Sequence, residues 1–138
     1  LAGSTRFYQK GSGQGRNPYP YTHLVTEKLK GCSCLVVEAN HDIDLLQEAP
    51  RPWSLKQRIR SRQGHLSNIE AAQLISASAT DYLKHVILAH LSSDCNTPDT
   101  ALNTVRSQLR LEKINHFANH CIRVPIIICL RQCLTGTF

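Results

Sequence analysis

HVILAHLSSDCNTPDT, residues 85–100, reads as a strand, a polar loop and the start of a helix in succession. HVILA, residues 85–89, has the length and β-branched content of a buried strand. Thr97, Pro98 and Asp99 then supply an N-cap, a proline at the first helical position and an acid at the positive end of the helix dipole. The helix should therefore continue through TALNTVRSQLRL. His90 stands at the mouth of the strand, with no glycine or turn residue to introduce it.

Working outward, the same grammar recurs upstream. CLVVE, residues 34–38, is a second compact apolar run, and it opens into EANHD, residues 38–42. DIDLLQE follows as a helical turn closed by Pro50 and Pro52. WSLKQRIRSRQ, residues 53–63, is predicted helical, with bases at Lys56, Arg58, Arg60 and Arg62 and Gly64 as its stop. Ser67 or Asn68 caps NIEAAQLISASA, whose Ile69, Ala72, Leu74, Ile75 and Ala79 form an apolar stripe. HLVTEKLK, residues 23–30, is a short helix ended by Gly31, and PIIICL, residues 125–130, has the character of a last strand. Strands alternating with helices give an α/β fold, in which ligands gather at the carboxyl ends of strands.

Length and composition set the frame. A chain of 138 residues is one domain, and 41% hydrophobic with 19% charged residues is a globular balance. Residues 1–22 lack apolar periodicity and are read as an irregular segment preceding a folded region over 23–138. Their GSGQG would need a strand before it and a helix after it to cradle phosphate, and neither is evident in the sequence. The opening residues carry neither an initiator Met nor a secretory signal, which reads as a fragment or a processed chain. No apolar run approaches the roughly 20 residues that span a bilayer, so a soluble, cytoplasmic protein with no membrane partner is expected. The six cysteines fall mostly inside apolar runs and are read as reduced, packed thiols. A net charge of +6 favours a polyanionic partner such as nucleic acid.

Three polar clusters, EANHD (38–42), GHLSN (64–68) and AHLS (89–92), each follow or precede an apolar element, and each contributes a histidine. His41, His65 and His90 are therefore candidates for one shared site, with Glu38 and Asp42 as ligands, orienting partners or proton carriers. His23 and His85 read as surface or strand-start residues. His116 and His120, four apart with Cys121 adjacent, are a weaker zinc candidate. The basic edge from Lys56 to Arg62 is either a solvated face or a phosphate-facing one.

The segments EANHD, LKQRI (55–59), GHLSNIEAA (64–72) and AHLSSDCNTP (89–98), in that order, resemble the second half of metallo-β-lactamase-fold hydrolases. The likeness is to the ribonuclease Z-like branch, nearest its small bacterial exonuclease-like members. It implies half of a four-layer αββα sandwich, with a mixed sheet and flanking helices. It further implies a two-metal centre, zinc or manganese, that activates hydroxide against a phosphodiester. By the resemblance, His90 is the final metal-binding histidine. His65 and the Glu38–His41–Asp42 cluster position phosphate or pass a proton to the leaving oxygen. Lys56, Arg58, Arg60 and Arg62 face a nucleic-acid backbone, DNA rather than RNA.

Two departures qualify the implied activity. The family's H-x-H-x-D-H motif is absent from the 138 residues, and where an Asp-x-Gly turn is expected the chain reads GQGRNPYPYTH. A catalytic zinc site needs three protein ligands, so the expectation is a nuclease-like chain that does not retain metal and is inactive alone. Its uncovered half-fold face should favour self-association. The alternatives are a non-catalytic basic remnant that still contacts nucleic acid, or a small structural zinc domain using Cys32, Cys34, His116 and His120.

Overall fold

The computed structural model describes residues 5–8, 23–112 and 122–123. Four parallel strands lie side by side in chain order: β1 (Thr5–Tyr8), β2 (Cys34–Glu38), β3 (His85–Ala89) and β4 (Ile122–Arg123). Five helices accompany them: α1 (His23–Leu29), α2 (Ile43–Glu48), α3 (Trp53–Arg60), α4 (Asn68–Ser78) and α5 (Pro98–Leu111). The α/β expectation holds, and β2 and β3 have the bounds read from the sequence. The mixed sheet does not: every described strand pair is parallel. Each successive strand is reached through at least one helix, the crossover that parallel pairing requires.

Within the stretch read as irregular, Thr5–Tyr8 pairs with Cys34–Val37. Four residues are too few for alternation to announce a strand, and the pairing supplies what the sequence pattern lacks. A strand thus does precede GSGQG, although residues 9–22 lie outside the described set, as do PIIICL, His116, His120 and Cys121.

Leu35 and Val37 of β2 and Val86 and Leu88 of β3 are fully buried in one core with Ala71, Ala72, Leu74 and Ile75 of α4 and Ala101, Val105 and Leu109 of α5. Their alternate neighbours Val36 and Ile87 are half-buried. On α4 the buried line runs through Asn68, Ala71, Ala72, Ile75 and Ser78, so Ile69, expected in the stripe, is 37% exposed. The reason lies at the helix start: Ser67 and Glu70 form a reciprocal capping box, and Asn68 is held inward by a buried hydrogen bond, which fixes the helix's rotation. A smaller cluster of Leu46, Ala49 and Cys95, with Ile59 against it, packs α2 and α3 beside the loop after β3. Cys32, Cys34 and Cys95 are thiols, in agreement with the sequence reading. Among the described residues no helix is long and apolar enough to cross a membrane.

Gly31 ends α1 with φ 81°, a left-handed conformation that glycine adopts without steric penalty. Gly64 does not stop α3, which ends at Arg60 with Ser61 as its C-cap. It instead passes so close to the helix that a Cβ would lie 2.0 Å from the Ile59 carbonyl oxygen.

Candidate functional site

The three polar clusters meet at the carboxyl ends of β2 and β3. Glu38 and Ala89 are register partners, so Glu38 and His90 share one rim of the sheet. Beyond the rim the ladder continues irregularly: Ala39 N donates to Ala89 O (3.0 Å), Asn40 N to Leu66 O (2.8 Å) and Ser92 N to Asn40 O (2.8 Å). Asn68 N also donates to His41 O (2.9 Å) and Asp42 N to Cys95 O (2.8 Å). Side chains lock the same loops together. The buried amides of Asn68 and Asn96 exchange two hydrogen bonds, of 3.1 and 2.8 Å. Asn96 Nδ2 donates to Ala39 O (2.8 Å) and Asn40 Nδ2 to His90 O (2.9 Å).

This frame holds a carboxylate between two imidazoles. Glu38, fully buried, places Oε1 2.5 Å from His65 Nδ1 and 2.7 Å from His90 Nδ1, while its Oε2 accepts from Leu66 N at 3.3 Å. Burial alone would push the Glu38 carboxyl up, but hydrogen bonds from His65 and Leu66 and the charges of both imidazoles outweigh it, holding the group below its ordinary value. An ionised carboxylate only accepts, so both Nδ1 atoms donate, and Nε2 becomes the nitrogen through which each ring would meet an ion. The rings stand edge to face, centroids 4.9 Å apart.

His90 reaches this position at φ 58°, and it is the one non-glycine with positive φ among the described residues. Histidine tolerates the left-handed region better than most residues, yet such a conformation persists only where its surroundings enforce it. Here the bonds from Asn40 Nδ2 to the His90 carbonyl and from His90 Nδ1 to Glu38 hold it from both ends. Both imidazoles border a pocket of about 40 Å³, lined also by Asn40, Arg51, Ser92 and Ser93, room for an ion or a water. Arg51 and Asp94, both on its wall, form an ion pair.

Among the described residues, Glu38, His65 and His90 form the group that could hold a metal, with donor atoms within 4.8 Å of one another. The sequence had named all three, together with His41 and Asp42, which the structure does not bring into the cluster. His41 is 2% exposed, bridged to Ser67 through the backbone. Asp42 caps α2, accepting from Asp44 N (3.0 Å) and Leu45 N (3.2 Å). Of the basic series, Lys56 donates to Gln47 O (2.5 Å), while Arg58, Arg60 and Arg62 are exposed. His23 and His85 are exposed as well. Cys32 packs in the main core, and Cys34 is half-buried on β2. Arg51, the serines of the pocket and the three asparagines were missed by sequence reasoning. The asparagines had left a signal, since three of the four resembling segments carry one: Asn40, Asn68 and Asn96.

The chain is 44% identical over 85 residues to an exodeoxyribonuclease, YycJ, from Bacillus anthracis, covering 62% of this chain and 32% of that protein. It is 39% identical over 74 residues to the exodeoxyribonuclease WalJ of Streptococcus pneumoniae, covering 54% of this chain and 28% of the relative. No family model and no solved structure matches. This chain therefore corresponds to about a third of the length of exonuclease relatives to which it is similar.

Proposed function

We propose that this chain carries one part of a metal-dependent exodeoxyribonuclease centre, built on the second half of a metallo-β-lactamase-like sandwich. The observation that carries the reading is the Glu38 carboxylate bonded to both His65 Nδ1 and His90 Nδ1. Metal-binding histidines characteristically donate their second ring N–H to a carboxylate, which fixes the tautomer and the ring plane. The similarity to two exodeoxyribonucleases supports the same reading and supplies the substrate class.

The donor set fits a divalent ion in kind. His90 would hold it through Nε2, and His65 either joins as a ligand or moves a proton at the same edge. Glu38, already engaged by two rings and a backbone amide, orients rather than ligates. A bound ion would supply Lewis-acid stabilisation of phosphodiester charge and a nucleophile at neutral pH. In number the set falls short. Two imidazoles are fewer than the three protein ligands a catalytic site uses, and the H-x-H-x-D-H motif is not in these residues. The chain alone is accordingly inactive, and the remaining ligands belong to a complementary segment.

A chimera in which this chain replaces the matching third of the Bacillus YycJ protein tests the proposal. It should degrade DNA with Mn²⁺ or Zn²⁺, and His90→Ala should abolish that activity, while the 138-residue chain alone should leave bis-p-nitrophenyl phosphate intact. Activity of the chimera that survives His90→Ala, or hydrolysis by the isolated chain, would overturn it.

A further inference from the structure

One surface of the molecule is not used by the histidine site. α3 turns Ile59 toward the pocket and the small core, and presents Trp53, Gln57 and Arg60, at i, i+4 and i+7, along its outer face. Together with Ser61 these residues line an open groove of about 370 Å³. Trp53 is 57% exposed, a large share for the bulkiest side chain. The helix WSLKQRIR contains no acidic residue. Arg60 makes no ion pair among the described residues, so its charge is directed at solvent.

We propose that this outer face of α3 is a stacking platform for an unpaired nucleobase of single-stranded DNA. An indole offers a flat, sequence-tolerant surface to any base, and a guanidinium two turns along the same helix face can take a neighbouring phosphate. The Gln57 amide lies between them, with donors and an acceptor for a base edge. Charge complementarity decides the occupant: a groove with an arginine, no acid on its helix and a chain charge of +6 fits a polyanion with aromatic faces better than an apolar peptide. Duplex DNA keeps its bases stacked internally and cannot use the indole, so the platform selects frayed or single-stranded ends. This inference rests on the nuclease reading for its substrate and adds the strand form and the residues that select it.

Trp53 is the chain's single tryptophan, which makes the test direct. The 138-residue chain in EDTA, titrated with oligo-dT at low salt, should show quenched tryptophan emission, and a duplex of equal length should not quench it. By anisotropy of a labelled oligo-dT, Trp53→Ala should weaken binding by roughly 5- to 100-fold, the loss of one base–aromatic stack. Trp53→Phe should retain most of it. Arg60→Gln should lower the salt slope by about 0.7, one phosphate contact on a single strand. Unchanged circular-dichroism melting of these exposed-site variants separates binding from folding. The platform is overturned if oligo-dT binds without quenching, if Trp53→Ala binds like the parent, if duplex quenches equally, or if nothing binds. A metal-dependent chimera active through His90 alongside any of those results would leave the nuclease reading standing and remove only the platform.

Discussion

At the scale of single residues, the site turns on Glu38. A carboxylate sealed at the end of a strand is destabilising unless its oxygens are satisfied, and here two imidazoles and a backbone amide do so. Glu38→Gln keeps the volume but replaces one acceptor oxygen by an amide donor, so either the two rings at Oε1 or Leu66 N at Oε2 is left facing a donor. In the chimera this should weaken manganese or zinc affinity about 10- to 100-fold, as loss of an orienting partner does. Competition titration with a chromogenic chelator reads it, and an unchanged affinity would mean that the carboxylate does not set the rings. The same group predicts a pH effect. Because its folded value lies below the ordinary 4.5, the stability it lends is present above that value and is lost as pH falls through the lower folded one. Urea midpoints of the metal-free chain between pH 6 and 3 should therefore fall more steeply for the parent than for Glu38→Gln. Parallel curves would refute the assignment.

At the scale of elements, α3 and α4 are joined by a turn that has no space to spare. Gly64 N donates to Ser61 O (2.9 Å) and His65 N to Ile59 O (2.9 Å), so the chain doubles back across the helix end immediately before the histidine bonded to Glu38. A Cβ at residue 64 would sit 2.0 Å from Ile59 O and 2.4 Å from Arg58 O, backbone atoms that cannot rotate away. Gly64→Ala should destabilise the fold by about 1–3 kcal/mol, the usual range for overpacking, and should displace His65 from Glu38. Chemical denaturation and the His65 ring signals in NMR would report both effects. A neutral substitution would show that the turn relaxes freely. The sequence had marked Gly64 as a helix stop because a glycine after a helical run most often serves that purpose. Its role as a point of close approach requires two elements to be seen together.

Taken whole, the described residues form one sheet in which β2 and β3 turn one face fully into the core and leave the other half-buried. Leu35, Val37, Val86 and Leu88 are sealed by helices, while Val36 and Ile87 on alternate positions retain solvent contact. All-parallel sheets are normally covered on both sides, so a second copy or a complementary segment is the expected cover. Sedimentation velocity should show concentration-dependent self-association of the chain, reduced by the pair Val36→Thr and Ile87→Thr. A strictly monomeric parent at high micromolar concentration would show that the half-buried face needs no cover.

What the sequence by itself determined is local. β2, β3, the Thr97 cap of α5 and a cap for α4 at Ser67 or Asn68 are written in short stretches, where β-branched content and capping chemistry act between near neighbours. It also marked Glu38, His65 and His90, because each stands in a polar cluster that follows or precedes an apolar element. Only the tertiary structure decided that these three converge while His41 turns into the interior and Asp42 becomes a helix cap. It alone shows that β1 exists and that the sheet is parallel. The physical reason is range. His65 and His90 lie 27 and 52 residues from Glu38, and no local preference registers hydrogen bonds closed across that much chain.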